Sequence, residues 1–268
     1  MTAEAFAPAK INLTLHVTGQ RADGYHLLDS LVVFADVGDR LRLTPAAEMS
    51  LNVTGPFADG VPTGSSNLVW RAAQAAGWQG QIDLDKRLPH GGGIGGGSAD
   101  AAATLRALKA HVDASRLGAD VPVCMLARAA RMSGVGEAVA AMAGVPSFHA
   151  VLVNPGVSIS TPEVFAALRH KDHPPMGSTP TAGASARVWM DWLRRQRNDL
   201  QPPAIALAPQ IATVLQALEA TPGVLLARIS GSGSTCFGLY PTRSAAQLAA
   251  GALAAARPDY WCVPATLS

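Results

Sequence analysis

"LPHGGGIGGGSAD", Leu88 to Asp100, places six glycines in seven residues and closes on Ser-Ala-Asp. Glycine gives up more conformational freedom on folding than any other residue. A run this dense marks a backbone that must approach something no side chain would admit. The following "SADAAATLRALKAHV" reads as a helix beginning at Ser98 or Ala99. Bare N–H groups leading into a helix N-terminus form a concave anion site, favoured by the helix dipole. Phosphate is the expected ligand; a flexible surface loop is the plainer alternative.

Two phosphate templates fit only in part. Gly91-x-Gly93-x-x-Gly96 matches the dinucleotide fingerprint by letter. That fingerprint, however, follows a nearly all-apolar parallel strand, whereas "QIDLDKRLP" alternates, carries charge and is interrupted by Pro89. In the P-loop template a lysine should stand where Gly97 is. A triphosphate at this bend therefore needs a cation from elsewhere. Lys86, just upstream, and Lys10 are the candidates, although each taken alone reads as a solvated surface lysine. Phosphoryl transfer also needs a base near the accepting hydroxyl. Asp120 in "LGADVPVCML" precedes an expected helix. It can serve as that base or as an ordinary N-cap with Pro122 in the first turn, and the two roles are compatible.

Upstream, the first 45 residues read as strands. In "AKINLTLHV", Ile11, Leu13, Leu15 and Val17 alternate with Lys10, Asn12, Thr14 and His16, the pattern of a half-buried strand. After a turn at "RADGYH", "SLVVFADVGDRLRLTP" reads as two strands in a hairpin about Asp36–Asp39. "SSNLVWRAAQAAG" reads as a helix with Ser66 or Asn67 as N-cap and Gly77 as its stop. Downstream, "HAVLVNPG" is a strand and "HPPMGSTPTAGAS", His173 to Ser185, a long loop or mobile connection. Helices around "APQIATVLQALEA" and "SAAQLAAGALAAA" and a strand pair flanking "SGSGST" complete the chain. The mixture predicts an α+β architecture of two lobes, residues 1–148 and 149–268.

Composition removes several function classes. The 268 residues are 49% hydrophobic and 15% charged, which suits a folded core. A net charge of +2 gives no support to nucleic-acid or membrane binding. Three widely spaced cysteines without a Cys-x-x-Cys pair argue against a disulfide framework and a zinc site. With no leader-like segment and no run of 18 apolar residues, the expected location is cytoplasmic.

Three stretches taken together go further. "PAKINLTLHV", "LPHGGGIGGGSADAA" and "ISGSGSTCFGLY" resemble, in that order, the three motifs of the GHMP small-molecule kinases. The resemblance extends through "RADGYHLLDSL", "NLVWRAA", "LGADVPV", "SGVGE", "VLVNPGVSISTPEVF" and "NDLQPPA", nearly the whole chain. It implies a two-lobed fold, the N-terminal lobe like domain 2 of ribosomal protein S5 and the C-terminal lobe ferredoxin-like, with ATP and substrate meeting between them. Within the family the details are most similar to members acting on a cytidine diphosphate-linked methylerythritol. It further implies that Pro89, His90, Gly91, Gly92, Gly93, Ile94, Gly95, Gly96, Gly97, Ser98 and Ala99 wrap the ATP phosphates. Ser98 would lie near the phosphate-bound Mg²⁺, and Asn67, Leu68 and Lys86 would line the nucleoside end. Lys10 and Asp120 match the catalytic pair. Tyr25 and Phe165 would sandwich the cytosine ring, with His26 reading its edge and Asn12 and Thr161 facing the substrate. Ser230 to Ser234 would brace the glycine loop. A monomer or weak homodimer is expected.

Rival readings are another kinase of the family, of the homoserine or mevalonate type, and a dinucleotide-binding oxidoreductase. One departure stands out. "LKAHVDASRLGADVP" replaces a helix of some twenty residues usual in the family, so a trimmed surface helix is expected, with a possible displacement of Asp120.

Overall fold

The computed structural model describes residues 2–268. Its strands are β1 (Ala3–Asn12), β2 (His16–Gln20), β3 (His26–Pro45), β4 (Ser50–Thr54), β5 (Gly80–Asp85), β6 (Ala130–Gly134), β7 (Ala138–Ala141), β8 (Phe148–Asn154), β9 (Leu226–Ile229), β10 (Cys236–Tyr240) and β11 (Trp261–Leu267). Its helices are α1 (Leu68–Ala75), α2 (Gly96–Ala107), α3 (Val121–Leu126), α4 (Thr161–Ala166), α5 (Ala186–Arg194), α6 (Gln201–Leu207), α7 (Gln210–Glu219) and α8 (Arg243–Ala256). The chain forms two compact units interleaved in sequence. One comprises the described residues up to Lys10 with Val37–His90 and Gly95–Ala127; the other comprises Ile11–Asp36, Gly91–Ile94 and Arg128–Ser268.

In the first unit, β5 pairs antiparallel with the second half of β3, Leu41 opposite Leu84, and parallel with β4. Helix α2 packs against α1 and α3. Asn67 is the N-cap of α1, its side-chain oxygen accepting from Val69 N at 2.8 Å, and Gly77 with φ +64° follows the helix end. The expected hairpin at Asp36–Asp39 is absent: β3 runs unbroken for 20 residues. Gly38 serves close approach there, not a turn. A Cβ on it would lie 2.2 Å from the Ala7 carbonyl oxygen of β1, so only glycine lets the two strands meet.

In the second unit, the first half of β3 pairs with β2 and β6, and β6 pairs with β7. Strands β11, β8, β10 and β9 form an antiparallel array in that order. Numbered along the chain, the order is 4-1-3-2, with helices between the first and second and between the third and fourth, the ferredoxin-like βαββαβ arrangement. Val151, Val153, Ile211, Val214, Leu218, Ile229 and Leu253 build its core.

"AKINLTLHV" is two strands rather than one, interrupted at Leu13–Leu15, where Leu15 bridges to Asn198. Its apolar face is buried as expected, but Lys10, Asn12, Thr14 and His16 are also 4% exposed or less. The polar side chains face a hydrogen-bonded interior: Asn12 Nδ2 donates to Ser30 Oγ at 2.8 Å, and Thr14 Oγ1 donates to Met176 Sδ and accepts from Leu31 N. Met176 belongs to the 173–185 stretch, which is irregular as expected yet pinned. His173 N donates to the Val17 carbonyl, and Met176 N donates to Asp29 Oδ2 at 2.9 Å.

His16 holds part of this stretch. Its Nδ1 is 3.3 Å from the Pro174 carbonyl, and its Nε2 accepts from Arg197 N at 3.4 Å, so the neutral ring carries its hydrogen on Nδ1. Burial, then the Arg197 guanidinium, pulls its pKa below the usual 6.5, while the Pro174 carbonyl, Asp199 and Asp29 oppose that shift. The folded chain therefore resists protonation that the unfolded chain accepts. Stability contributed by this group is present above about pH 6.5 and is lost as pH falls below it toward the folded value. The melting temperature is expected to fall more steeply between pH 7 and 5 in the wild type than in His16→Gln. Parallel curves would remove the role.

Candidate active site

Two buried lysines organise the first unit. Lys10, on β1 and 4% exposed, places Nζ 2.8 Å from Asp120 Oδ2. Asp120 stands at the N-cap position of α3 but makes no capping hydrogen bond, so its carboxylate is committed to the lysine instead. The shortened connection is an irregular stretch with one 3₁₀ turn, Ala114–Arg116, and the ion pair forms regardless. The short connection thus leaves the pair intact. Gly95 lies over the same lysine: a Cβ there would be 3.3 Å from Lys10 Cβ and Cε.

Lys86 is 3% exposed, and its ammonium is held by the Asp39 and Asp100 carboxylates, the latter at 2.8 Å. Its charge is balanced internally, so it is not a free cation for a triphosphate. Asp39 Oδ1 also accepts from Arg87 N at 2.5 Å and Leu88 N at 2.8 Å. The lysine stays an ammonium, its pKa raised by the two carboxylates despite burial, and burial raises the Asp100 carboxyl against the pull of Lys86.

Helix α2 begins at Gly96, two residues earlier than its sequence suggests. Its N-cap is Gly95 at φ +64°, with no side-chain cap and no acidic residue in the first turn. The first N–H of the helix that finds a backbone carbonyl is that of Ala99, bonded to Gly95 O. The Gly96, Gly97 and Ser98 amides therefore have no intrahelical acceptor. Leu68 adjoins this turn, 3.8 Å from where a Gly97 Cβ would be. Asn67 is used up in capping α1 and in donating to the Pro62 carbonyl at 2.7 Å. Pro89 is buried, and exposed His90 has Nε2 3.2 Å from the Asp59 carbonyl.

The second unit contains the other half of the glycine run. Gly91 and Gly93 have φ +57° and +71°. A Cβ on Gly93 would lie 2.3 Å from Ser230 O and 2.7 Å from Gly233 O. Ser230 Oγ donates to Gly93 O at 3.0 Å and accepts from Asn12 N at 3.1 Å, and Thr235 N donates to Gly92 O at 3.0 Å. The "SGSGST" turn braces the loop as expected. Ile94 is 1% exposed and anchors it.

Asn12 leaves Oδ1 buried and without a partner, an acceptor aimed at nothing among the described residues. Thr161 Oγ1, at the start of α4, lies 2.8 Å from Ser232 Oγ. Phe165 and His26 are stacked, centroids 4.8 Å apart and planes 22° from parallel, and His26 Nε2 is also buried without a partner. Tyr25 is 65% exposed. The expected slot between Tyr25 and Phe165 is thus not formed: the His26 ring takes the Phe165 face. Burial, with Lys171 nearby, lowers the His26 pKa and favours its neutral ring.

Sequence reasoning missed Asp39, Asp100 and Ser30. Parity offered a signal for the first. Asp39 shares its strand face with Leu41 and Leu43, and Lys86 shares one with Ile82, Leu84 and Leu88. A charge on an apolar face must find a buried partner.

Among the described residues no three His, Cys, Asp or Glu side chains gather to hold a metal. A phosphate-borne Mg²⁺, which keeps waters and phosphate oxygens as ligands, fits such a site, with the Ser98 hydroxyl as the protein oxygen at hand. No helix among the described residues is long and apolar enough to cross a membrane.

Comparison with known proteins bears on this geometry. Residues 67–145 match the family model "GHMP kinases N terminal domain", and residues 185–259 match "GHMP kinases C terminal". A Dinoroseobacter shibae protein named 4-diphosphocytidyl-2-C-methyl-D-erythritol kinase is 56% identical, covering 98% of this chain and 94% of its own. A Cereibacter sphaeroides protein of the same name is 57% identical over 99% of both. The crystal structure of a 4-(cytidine 5'-diphospho)-2C-methyl-D-erythritol kinase superposes with a TM-score of 0.79 at 37% identity, covering 99% of each chain.

Proposed function

The chain belongs to the GHMP kinases, and from that membership we propose that it phosphorylates the 2-hydroxyl of 4-diphosphocytidyl-2-C-methyl-D-erythritol with ATP. This is a step in the methylerythritol phosphate route to isoprenoid precursors. The observation that carries the reading is the 2.8 Å Lys10–Asp120 pair directly beneath Gly95, where the glycine run enters α2.

In this reading the free amides of Gly96, Gly97 and Ser98 receive phosphate oxygens, and the glycines at 91–95 let the backbone approach them. Pro89, His90, Ile94 and Ala99 shape the same bend; Leu68 faces the nucleoside, and Asn67 acts there by capping the helix that carries Leu68. Lys86 supports the loop from below. Mg²⁺ bound through the phosphates and Ser98 would neutralise charge on the triphosphate. Asp120 accepts the proton of the attacking hydroxyl, while Lys10 keeps that carboxylate ionised and faces the charge developing on the transferred group. Asn12 lies two residues from Lys10 on β1, and its unpartnered Oδ1 suits a substrate hydroxyl.

Cytosine would replace His26 on the Phe165 face, with Tyr25 closing from the other side and the freed His26 ring bonding the base edge. Thr161 lies at the start of the same helix as Phe165. The matched family regions fall on either side of residue 148, in keeping with domains of 1–148 and 149–268 as stretches of sequence, whereas the compact units interleave across that boundary. We take the working form to be a cytoplasmic monomer or weak homodimer.

ADP release measured with the cytidylyl alcohol beside homoserine and mevalonate tests the assignment. Turnover with the first alone is expected; preference for either of the others would overturn it. Stacking on a base is worth about 1–3 kcal/mol. Phe165→Ala should therefore raise KM for the cytidylyl substrate by about tenfold while KM for ATP stays put. Equal changes in both would remove Phe165 from the base site.

A further inference from the structure

The glycine run is bare backbone, yet a phosphate cradle works only if its two ends are held at a fixed separation. Positive-φ glycines cannot supply that stiffness. The first unit contains a cluster that can, and the catalytic account leaves it unused. Asp39, Lys86 and Asp100 are 0%, 3% and 2% exposed. They come from β3, from the residue after β5, and from the second turn of α2. Asp39 grips the entry of the run, accepting from the Arg87 and Leu88 amides and from Lys86. Lys86 Nζ reaches across to Asp100 at 2.8 Å, on the helix that the run leads into. The same Nζ lies 3.1 Å from where a Gly96 Cβ would be, directly under the first turn of α2.

We propose that Asp39 and Asp100 are positioning residues which, through the Lys86 ammonium between them, staple residue 88 to the start of α2 and so set the span of the phosphate loop. The inference rests on the loop being the ATP site. It assigns Lys86 a role different from contact with nucleotide: its ammonium is spent on carboxylates and has no surface to offer a ligand. Burial of the whole cluster is what makes it rigid, because polar atoms that lose a partner there find no water to replace it. The bonds made by Asp39 to backbone amides fix the chain itself, which a side-chain ion pair alone would not do.

The staple predicts a change in ATP binding that general destabilisation would not produce. Wild type, Asp100→Ala and Asp100→Asn are compared well below their melting temperatures, with KM measured separately for ATP and for the alcohol. Asp100→Ala is expected to raise KM for ATP by about tenfold or more and to leave KM for the alcohol within about twofold. Asp100→Asn keeps an oxygen for Lys86 Nζ and is expected to return KM for ATP to within about twofold of wild type. Should Asp100→Ala not fold, Asp100→Leu fills the space with an apolar side chain of similar size and leaves the Lys86–Asp39 pair intact, and the same rise in KM for ATP is expected. Unchanged KM for ATP in folded Asp100→Ala or in Asp100→Leu overturns the staple. So does a parallel rise in both KM values that Asn does not rescue. A wild type that releases no ADP would instead overturn the kinase reading, which keeps the two failures apart.

Discussion

Asp120→Asn is expected to lower kcat by about 10²–10⁴-fold, the range that a positioned general base supplies, with ATP affinity nearly unchanged. The amide keeps the size of the side chain and an oxygen for Lys10 Nζ, now 2.8 Å from Oδ2, but cannot take a proton. Asp120 makes no cap hydrogen bond to α3, so the substitution removes no helix-capping interaction. A melting temperature near that of the wild type should accompany the loss of turnover. Quench-flow or coupled ADP assays read the first quantity, and calorimetric titration with ATP reads the second. Wild-type turnover in the variant would leave Asp120 without a role as base.

Gly93→Ala is expected to weaken ATP binding by about a hundredfold or more, since a misplacement of about 1 Å in a positioning element costs that much. A methyl group at φ +71° would be 2.3 Å from one carbonyl oxygen and 2.7 Å from another, both backbone. Neither can swing aside as a flexible side chain would. The loop must move away from Ser230 and Gly233, breaking the bond from Ser230 Oγ to Gly93 O. Gly251→Ala in α8 is the control: nothing lies within 4 Å of its Cβ position, and binding should be unaffected. ATP-dependent rise in melting temperature reports the difference directly, because a ligand stabilises only the state that binds it. An unshifted ATP affinity in Gly93→Ala would place the nucleotide away from this bend.

What the sequence made legible followed from local rules. The density of glycine before an alanine-rich helix located the loop and the uncapped helix start it leads into, because both features act within a few residues. Asn67 as a cap and Gly77 as a stop were legible for the same reason. The hairpin expected at Asp36–Asp39 failed because Gly38 answers to a strand far away in sequence, and spacing along one segment does not reveal what crosses it. Lys86 was misjudged in the same way: its position near the loop suggested phosphate, while the two carboxylates that occupy it come from residues 39 and 100. The polar face of "AKINLTLHV" alternates as a half-exposed strand would, yet it is buried against Ser30 and Met176. Alternation shows that two faces differ, not which of them meets water. The pairing of Lys10 with Asp120, 110 positions apart, came only from the resemblance to a family, since no local pattern links them.

The central claim is that Lys10 and Asp120 act as one unit on the incoming alcohol. Single-turnover phosphoryl transfer from ATP to the cytidylyl substrate, compared in wild type, Lys10→Met, Asp120→Asn and the double variant, tests it most directly. Groups that act together lose their effect together, so the double variant should be no slower than the slower single one. Losses that multiply, as for two groups working independently, would contradict the account.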